Sequence, residues 1–318
     1  MKVTEHFEKA KGKTLFSFEI IPPLKGQSIQ SIFNAIDPLM EFKPPFIDVT
    51  YHREEYVFKK LPNGLLDRQT TRKRPGTVGI CAAIINRYQV DAVPHIICGG
   101  FTREETENAL IDLSFLGIKN VLALRGDSIK TEPGFVPEPG GHSYAVDLIK
   151  QIVSMNQGVY LHEDLQNSSA SNFCVGVAAY PEKHFESPNL SQDIAYLKQK
   201  IDAGGEYIVT QMFFNNKKFF NFVEKCRAAG INVPIIPGIK PIANREHLTL
   251  LPRLFHIDIP EELTEAVLSC KDDKDVRQVG IEWAISQSKE LIDYGIPCLH
   301  YYTMGRSVGT RKIAEALF

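Results

Sequence analysis

The stretch TREETENALIDLSFLGIKNVLALRGD, residues 102–127, has the pattern of a helix, a turn and a strand in succession. Its helical spacing predicts a helix over Thr102–Leu116, and Gly117 stands where a C-terminal cap is expected. The short apolar segment Asn120–Leu124 then predicts a strand, and the polar Arg125-Gly-Asp127 closes it. A helix followed at once by an apolar strand is typical of a parallel α/β sheet.

The same alternation recurs along the whole chain. Val78–Ile85 fits either a strand or a helix, and we predict a helix. Further helices are predicted over Ser191–Ala203, Lys217–Ala229 and Val276–Tyr294, with Gly204 and Gly230 at cap positions. Eight strands are predicted, over Leu15–Ile20, Phe46–Thr50, Val93–Cys98, Asn120–Leu124, Phe173–Ala179, Tyr207–Gln211, Pro234–Ile239 and Cys298–Tyr302. Eight strands that alternate with helices predict an α/β fold, a (β/α)8 TIM barrel. Because no linker divides the chain, we predict that the barrel forms a single domain over residues 1–318.

Charge and cysteine content exclude several functional classes. With 36 Lys and Arg against 38 Asp and Glu, the net charge is −2, so nothing points to nucleic acid or an acidic membrane as a partner. No apolar run approaches the ~20 residues that span a bilayer. Six cysteines contain no CxxC pair, which argues against a zinc ribbon. Acidic residues at the N-terminus are unlike a signal peptide, and we expect a cytoplasmic protein.

Common motifs for phosphate and metal binding are absent. The sequence contains no GxGxxG, no GxxxxGK[ST], no HExxH and no EF-hand loop, and we predict no metal site. Gly305-Arg-Ser-Val-Gly309 matches the GxSxG of a hydrolase nucleophile elbow. That fold requires an acid and then a His after the serine, and no His follows Ser307. We therefore interpret the segment as a turn that presents Arg306.

Two segments interrupt the regular alternation. Gly126–Tyr144 is rich in Pro and Gly and follows a predicted strand. We interpret it as a mobile active-site loop, with an inert surface excursion as the alternative. Met155–Asn172 is polar and rich in Ser and Asn, and we interpret it as an insertion.

Polar residues recur at the carboxyl ends of the predicted strands. In a barrel these ends meet at one mouth, where such folds keep their chemistry. Any one of these polar side chains is more often an ordinary hydrogen-bond partner than a catalytic group. Their recurrence at the ends of several strands indicates a functional site. The residues are Glu19, Asp48, Thr50, His95, Arg125, Asp127, Tyr180, Gln211, Lys240, Tyr302 and Arg306.

These strand ends also carry a family resemblance. The chain resembles methylenetetrahydrofolate reductase, in order and over nearly its whole length. The resemblance rests on Phe18-Glu-Ile-Ile-Pro-Pro23, Val49-Thr-Tyr51, Pro94-His95, Leu122-Ala-Leu-Arg-Gly-Asp127, Val177-Ala-Ala-Tyr-Pro-Glu182 with His184, Asp202-Ala-Gly204, Ile208-Val-Thr-Gln-Met-Phe-Phe214, Ile235-Ile-Pro-Gly-Ile-Lys-Pro241 and Tyr301-Tyr-Thr-Met-Gly-Arg306. It implies a flavin-bearing (β/α)8 barrel of the bacterial type, without the regulatory domain of eukaryotic members.

The resemblance further implies an activity. NADH or NADPH would reduce FAD, which would then pass hydride to 5,10-methylenetetrahydrofolate and give 5-methyltetrahydrofolate. Glu19 matches the general acid, and Asp127 matches a catalytic carboxylate near the flavin and the pterin. Apolar neighbours of Glu19 favour a raised pKa, as a proton donor near neutral pH requires.

The binding residues are implied in the same way. Besides Glu19 and Asp127, the substrate would contact Gln211 and Arg306. His247 and Leu251 depart from the family's residues near the folate tail. The residues that match the family's FAD contacts are Thr50, His95, Arg125, Gly126, Asp127, Tyr144, Ala145, Tyr180, His184, Asp193 and Lys200.

Two alternatives stay open at this stage. One is another FAD-dependent barrel oxidoreductase, similar to proline dehydrogenase. The other is a folate- or flavin-binding barrel without catalysis, which is disfavoured because it gives the costly Glu19 carboxylate no task. The choice between NADH and NADPH is open, and so is the oligomeric state, a homo-oligomer included.

Overall fold

The computed structural model of the protein describes residues 1–129, 132, 134–162 and 165–318. Eight parallel strands close into a barrel. They are β1 (Leu15–Ile20), β2 (Phe46–Val49), β5 (Asp91–Ile97), β6 (Asn120–Leu124), β7 (Cys174–Ala179), β8 (Tyr207–Met212), β9 (Ile235–Ile239) and β10 (Cys298–Tyr302), and β3 and β4 form a separate hairpin described below. Around the barrel the strands follow the order β1-β10-β9-β8-β7-β6-β5-β2. The predicted (β/α)8 TIM barrel is confirmed, and all eight predicted strands form.

Helices surround this barrel. They are α1 (Val3–Ala10), α2 (Gln30–Ile36), α3 (Thr77–Tyr88), α4 (Arg103–Phe115), α5 (Ala145–Asn156), α6 (Leu190–Asp202), α7 (Asn216–Ala228), α8 (His247–Phe255), α9 (Glu261–Ser269), α10 (Asp273–Asp293) and α11 (Val308–Leu317), with a 3₁₀ helix at Asp37–Phe42. The helix predicted at Val78–Ile85 is confirmed as part of α3. Gly117, Gly204 and Gly230 have positive φ angles just after their helices, as the predicted caps require. None of the helices in these described ranges is long and apolar enough to cross a bilayer.

Side chains of the barrel strands alternate between two packed layers, one outside the barrel against the helices and one inside it. In β1, Phe16, Phe18 and Ile20 pack outward against the surrounding helices. The intervening Ser17 and Glu19 therefore face the barrel interior, because successive strand side chains point to opposite faces. At the amino ends of the strands, apolar side chains fill the interior and pack against α1, whose Val3 is fully buried. The amino end is thus closed, and the carboxyl end carries the polar side chains.

A two-stranded hairpin follows β2 and was not predicted. Its antiparallel strands are β3 (Glu55–Lys60) and β4 (Leu66–Thr71), which pair outside the barrel. Arg74, just after the hairpin, donates a hydrogen bond to the carbonyl oxygen of Pro22. The hairpin is thereby held beside the mouth of the barrel.

The two irregular segments lie only partly within the described residues. Lys130, Thr131 and Pro133 of the Gly126–Tyr144 segment, and Glu163 and Asp164 of the Met155–Asn172 segment, lie outside them. The boundary predicted for the insertion was wrong by two residues. Met155 and Asn156 are the last residues of α5, because Met155 packs into the apolar core.

Candidate active site

A carboxylate, an imidazole and a second carboxylate form the centre of the mouth. Glu19 of β1, Asp48 of β2 and His95 of β5 all point inward from adjacent strands. The Nε2 atom of His95 lies 3.5 Å from Oε2 of Glu19 and 3.6 Å from Oδ2 of Asp48. The Glu19 side chain is 13% exposed, whereas those of His95 and Asp48 are 5% and 1% exposed. Glu19 is therefore the member of this group that is most open to a ligand at the mouth.

Burial and neighbouring charge shift the pKa values of Glu19 and His95. Burial raises the pKa of Glu19, and the Asp48 carboxylate adds to the rise, while His95 and the Thr50 hydroxyl oppose it. For His95, burial alone would lower the pKa, but the Asp48 and Glu19 carboxylates outweigh it and the net shift is upward. A carboxyl group with a raised pKa can stay protonated toward neutral pH and give up a proton during a reaction.

Deeper in the barrel lies a second set of polar groups. The Oγ atom of Ser17 lies 2.9 Å from Nδ1 of His300, and the other ring nitrogen of His300 is buried without a hydrogen-bond partner among the described residues. The Tyr207 hydroxyl is likewise buried and unpaired there. Its ring lies over Gly176, where a Cβ would collide with it. These groups lie beneath Asp48 and make the centre of the barrel polar.

The ends of β6 and β7 form one side of the mouth. Arg125 follows β6 and donates a 2.7 Å hydrogen bond to Glu186, with its guanidinium over the ring of Phe135. Gly126 has a φ of +83° and packs against Ile97, so a side chain there would be strained. Asp127 follows directly and lies near the Tyr180 hydroxyl, whose pKa is raised mainly by burial and further by that carboxylate.

The loop after β7 is held by Asp193 of α6. Its carboxylate accepts hydrogen bonds from the backbone N–H of His184 at 3.0 Å and from the Ser187 hydroxyl at 2.7 Å. The His184 ring lies edge-on to that of Tyr180, with 4.7 Å between centroids. Lys200, also on α6, donates to the carbonyl oxygen of Ala178, and burial lowers its pKa to about 8. Asp193 thus organises the loop, while Lys200 brings a buried amine to the end of β7.

A bulge near the end of β8 positions Gln211. The pairing of β8 with β9 shifts register between Val209 and Met212, and such bulges redirect the side chains of a strand. The Oε1 atom of Gln211 accepts a 2.9 Å hydrogen bond from the backbone N–H of Met212. The amide nitrogen is then the half of the side chain that remains for a ligand.

Tyr302 crosses the neighbouring strand. It is the last residue of β10, and its hydroxyl donates a 2.7 Å hydrogen bond to the carbonyl oxygen of Thr210 in β8. The ring passes over Gly238 of β9, where a Cβ would collide with it and with that same carbonyl oxygen. The three strands β8, β9 and β10 are therefore joined at the mouth by one side chain.

Basic side chains gather beyond the ends of β9 and β10. Lys240 follows β9 and is 7% exposed, and Arg306 lies in the turn between β10 and α11. His247, the first residue of α8, lies near both: burial, Lys240 and Arg306 together lower its pKa to about 4. Arg306 and the turn at Gly305 match the turn predicted in place of a nucleophile elbow.

The structure brings most of the predicted site residues to one face of the barrel. Thr50 follows β2, and its hydroxyl donates to the carbonyl oxygen of Ile20 at 3.1 Å. Tyr144 and Ala145 lie farther out, as the exposed N-cap and the first residue of α5. Strand position placed Asp48 and Lys240 at the mouth without assigning them a role, and His300 was not predicted. The alternation of inward positions in β10 was the signal that could have identified His300.

Comparison with known proteins agrees with the resemblance noted in the sequence. The family profile described as methylenetetrahydrofolate reductase matches residues 2–318. The 5,10-methylenetetrahydrofolate reductase of Escherichia coli is 30% identical over 318 residues, which cover 99% of this chain and 94% of that protein. Methylenetetrahydrofolate reductase (NADH) 1 of Arabidopsis thaliana is 34% identical over 316 residues, 96% of this chain and 48% of that protein. The chain spans about half the length of the yeast and plant relatives that it matches.

Solved structures agree on the fold. A Clostridium thermocellum protein that binds two copies of 5-methyl-5,6,7,8-tetrahydrofolic acid aligns with a TM-score of 0.56 and 15% identity, over 99% of this chain and 97% of that one. At this low identity the likeness supports the barrel and nothing finer.

Proposed function

Because the chain belongs to the methylenetetrahydrofolate reductase family, we propose that it reduces 5,10-methylenetetrahydrofolate to 5-methyltetrahydrofolate. The hydride would come from NADH or NADPH and pass through FAD in two successive half-reactions. We place this activity at the carboxyl ends of a single domain over residues 1–318. Six free cysteines, five of them buried, favour the reducing cytoplasm as its compartment.

The side chains near β6 and β7 suit FAD. A diphosphate needs hydrogen-bond donors and positive charge. On one side of the mouth Arg125 and the amine of Lys200 can supply both, and the ring of His184, whose pKa is lowered by burial, can supply a neutral donor. Gly126 would let the backbone approach an isoalloxazine ring, because it carries no side chain at a φ of +83°. We propose Thr50, His95, Asp127, Tyr144, Ala145, Tyr180 and Asp193 as the remaining FAD contacts. When bound, FAD would supply hydride transfer from the nicotinamide to the methylene carbon of the folate.

Glu19 is the residue we assign to the proton transfer. Its carboxyl group would protonate N10 of the folate, the bond from N10 to the methylene carbon would break, and a 5-iminium ion would result. The carbon of that iminium ion accepts the hydride. The single observation that carries this assignment is the carboxyl group of Glu19, which lies 3.5 Å from His95 at the mouth of the barrel. Burial raises the pKa of this carboxyl group.

Asp127 and Gln211 would orient the pterin. A carboxylate accepts hydrogen bonds from the N–H groups of the pterin ring, and its charge stabilises the cationic iminium ion. The amide nitrogen of Gln211 can donate a hydrogen bond, so it can meet the carbonyl oxygen of the nicotinamide carboxamide and an acceptor atom of the pterin in turn. Both ligands need the exposed face of the flavin, which is why one side chain would serve each of them.

Two measurements test the proposal. Purified protein should bind FAD without a covalent bond, and a preparation that fails to bind added FAD would reject the flavin assignment. Glu19→Gln should slow folate reduction by roughly 10²–10⁴-fold while reduced nicotinamide still reduces the flavin, measured with menadione as acceptor. Glu265→Gln, on the exposed face of α9, is the matched control and should change neither rate. Equal loss of both rates in Glu19→Gln would make Glu19 structural.

A further inference from the structure

The hairpin beside the barrel has an open edge along β3. In the described part of the chain β3 pairs with β4 and with no other strand. Residues 57–60 are all exposed, including the apolar side chains of Val57 and Phe58, which are 37% and 55% exposed. A two-stranded sheet is only marginally stable by itself, and an unpaired edge is a template for a further strand. The outer edge of β3 is therefore a place where another strand can add.

The register of the hairpin determines which backbone groups of β3 are free. The backbone N–H of Leu61 donates a 2.8 Å hydrogen bond to the carbonyl oxygen of Leu65, at the closed end of the hairpin. Hydrogen-bonded and non-hydrogen-bonded positions alternate along an antiparallel pair, so the positions two, four and six residues before Leu61 bond to β4. The N–H and C=O groups of Tyr56, Phe58 and Lys60 therefore point away from β4, toward the open edge.

The sequence of this strand is complementary to itself. Residues 54–60 read EEYVFKK, with two acids at one end, two lysines at the other and an apolar centre. Two copies can pair in antiparallel fashion about a twofold axis that passes through Val57 perpendicular to the sheet, which keeps each side chain on the same face in both copies. The residues that then lie opposite one another are Tyr56 with Phe58, Glu55 with Lys59 and Glu54 with Lys60.

We propose that two copies of the chain associate through β3, so that their hairpins form one continuous four-stranded antiparallel sheet. The outward backbone groups of Tyr56 and Phe58 would bond across the axis, and Val57 would pack against its own counterpart. Aromatic pairs and opposite charges that face each other across strands are favourable. The proposal is independent of the proposed function.

Charge selects both the register and the partner. If the axis passed through Tyr56 or Phe58 instead, no acidic side chain of one strand would face a lysine of the other. Lysines on an open edge normally discourage strand addition. Lys59 and Lys60 would do so for a strand that lacks acids at the matching positions, whereas they attract the acidic end of a second β3. The occupant that the charges favour is therefore another copy of this chain.

Contacts within the chain leave the acidic end of β3 accessible. Glu54 lies 3.3 Å from Arg72, and these two side chains are 44% and 43% exposed. Glu55 contacts Lys73 in the same way. A carboxylate accepts more than one hydrogen bond, so each can also meet a lysine of the second copy. A single strand pair is smaller than the roughly 1,200–2,000 Å² of stable interfaces, so we expect a dimer that forms at micromolar concentration.

Sedimentation velocity of the full chain over a range of micromolar concentrations measures the Kd of this dimer. Val57→Lys is the first test variant, because it places two like charges against each other at the axis. Thr70→Lys is its matched control, since it adds the same charge to an exposed position on β4 of the same hairpin. Lys60→Glu makes two acids face each other, and the double variant Glu54→Lys/Lys60→Glu restores opposite charges.

We expect the wild type and Thr70→Lys to pass from monomer to dimer with the same Kd as concentration rises. Val57→Lys and Lys60→Glu should raise the Kd by at least about 10-fold, and the double variant should recover most of that loss. A wild type that stays monomeric, a Kd that Val57→Lys leaves unchanged, or a double variant no better than Lys60→Glu would each overturn the proposal. So would a dimer that Thr70→Lys dissociates, because β4 would then form the interface.

Hydrogen exchange gives a second measurement that needs no variant. The outward amides of Tyr56 and Phe58 should exchange more slowly as the concentration of wild-type protein rises. The amides of Arg68 and Thr70, which point outward from β4, should not change. Protection that is equal on both strands, or absent from β3, would overturn the proposal even where a substitution disturbs the hairpin.

Discussion

The Nε2 atom of His95 lies 3.6 Å from Oδ2 of Asp48, and neither atom has a hydrogen-bond partner among the described residues. The pair is nevertheless almost fully buried, beside the carboxyl group of Glu19. Its interaction is therefore electrostatic at this separation, and the Asp48 carboxylate contributes to raising the pKa of both His95 and Glu19.

The position of Glu19 predicts a pH dependence confined to one half-reaction. A general acid works only while protonated, and burial raises the pKa of Glu19. Oxidation of the reduced flavin by the folate should therefore slow as pH rises through that pKa. Flavin reduction by the nicotinamide needs no such proton, so its rate should not fall in this way. Stopped-flow measurement of each half-reaction across the pH range tests the prediction, and the fall in rate with pH should be absent in Glu19→Gln.

Asp48→Asn should weaken folding most at low pH. The pKa of His95 is raised in the folded protein, so protonated His95 stabilises the folded state. This contribution is complete below the unfolded-state pKa of about 6.5, and it is lost as the pH rises through the folded-state pKa. Removing Asp48 lowers that folded pKa. The free energy of unfolding should therefore fall more at about pH 5.5 than at about pH 8.5, measured by urea denaturation. The exposed Asp112→Asn in α4 is the control, and an equal loss at both pH values would contradict the electrostatic pairing.

Gln211→Ala tests the shared ligand contact. Loss of a hydrogen bond to each ligand should slow both half-reactions, each by an amount worth about 1–3 kcal/mol, with FAD still bound. Rapid-mixing measurements of flavin reduction and reoxidation give the two rates separately. Gln278→Ala on the exposed face of α10 should change neither. A defect in a single half-reaction would remove the claim that Gln211 serves both ligands.

Gly238→Ala should destabilise the protein by about 1–3 kcal/mol through overpacking. The new methyl group would collide with the Tyr302 ring and with the carbonyl oxygen that the Tyr302 hydroxyl contacts. Thermal unfolding measures the loss. Gly79→Ala is the control, because Gly79 lies within α3 with no atom within 4 Å of an added Cβ. Alanine is the better helix former, so that variant should be neutral or slightly more stable. Equal behaviour of the two variants would refute the packing argument.

Lys240→Met should stabilise the protein that holds no folate. The pKa of Lys240 is about 8 in the folded chain against about 10.4 when unfolded, so the unfolded state binds the proton more strongly. Stability of the wild type then rises between these two pH values. The variant should gain up to about 3 kcal/mol at neutral pH and much less near pH 10, by urea denaturation. A gain that does not shrink with pH would mean that packing, and not charge, is responsible.

The barrel could be predicted because its signals are local. Strands β1, β6 and β10 have the bounds that apolar runs and flanking polar residues indicated, and the others differ by one or two residues. The hairpin of β3 and β4 was missed although Asn63-Gly64 is a turn signal between two alternating segments. Its strands are largely exposed and pair only with each other, so they lack the apolar pattern that marked the barrel strands.

The site was predictable only in part. Strand position indicated which residues reach the mouth, and the family resemblance suggested roles for Glu19, Asp127 and Gln211. The burial of Asp48 and the absence of a described counterion for Lys240 depend on how distant strands meet, which no local pattern contains. The bulge before Met212 is likewise a property of the pairing between β8 and β9, and it decides where Gln211 points.

Two obstacles of different kinds keep position 238 a glycine. The Tyr302 ring occupies part of the volume that a side chain would need, and the backbone carbonyl oxygen of Thr210 occupies the rest. A smaller residue at position 302 would remove the first obstacle and leave the second, because a backbone oxygen stays in place whatever the side chain. Among homologues with this barrel, position 238 should therefore stay glycine even where position 302 varies.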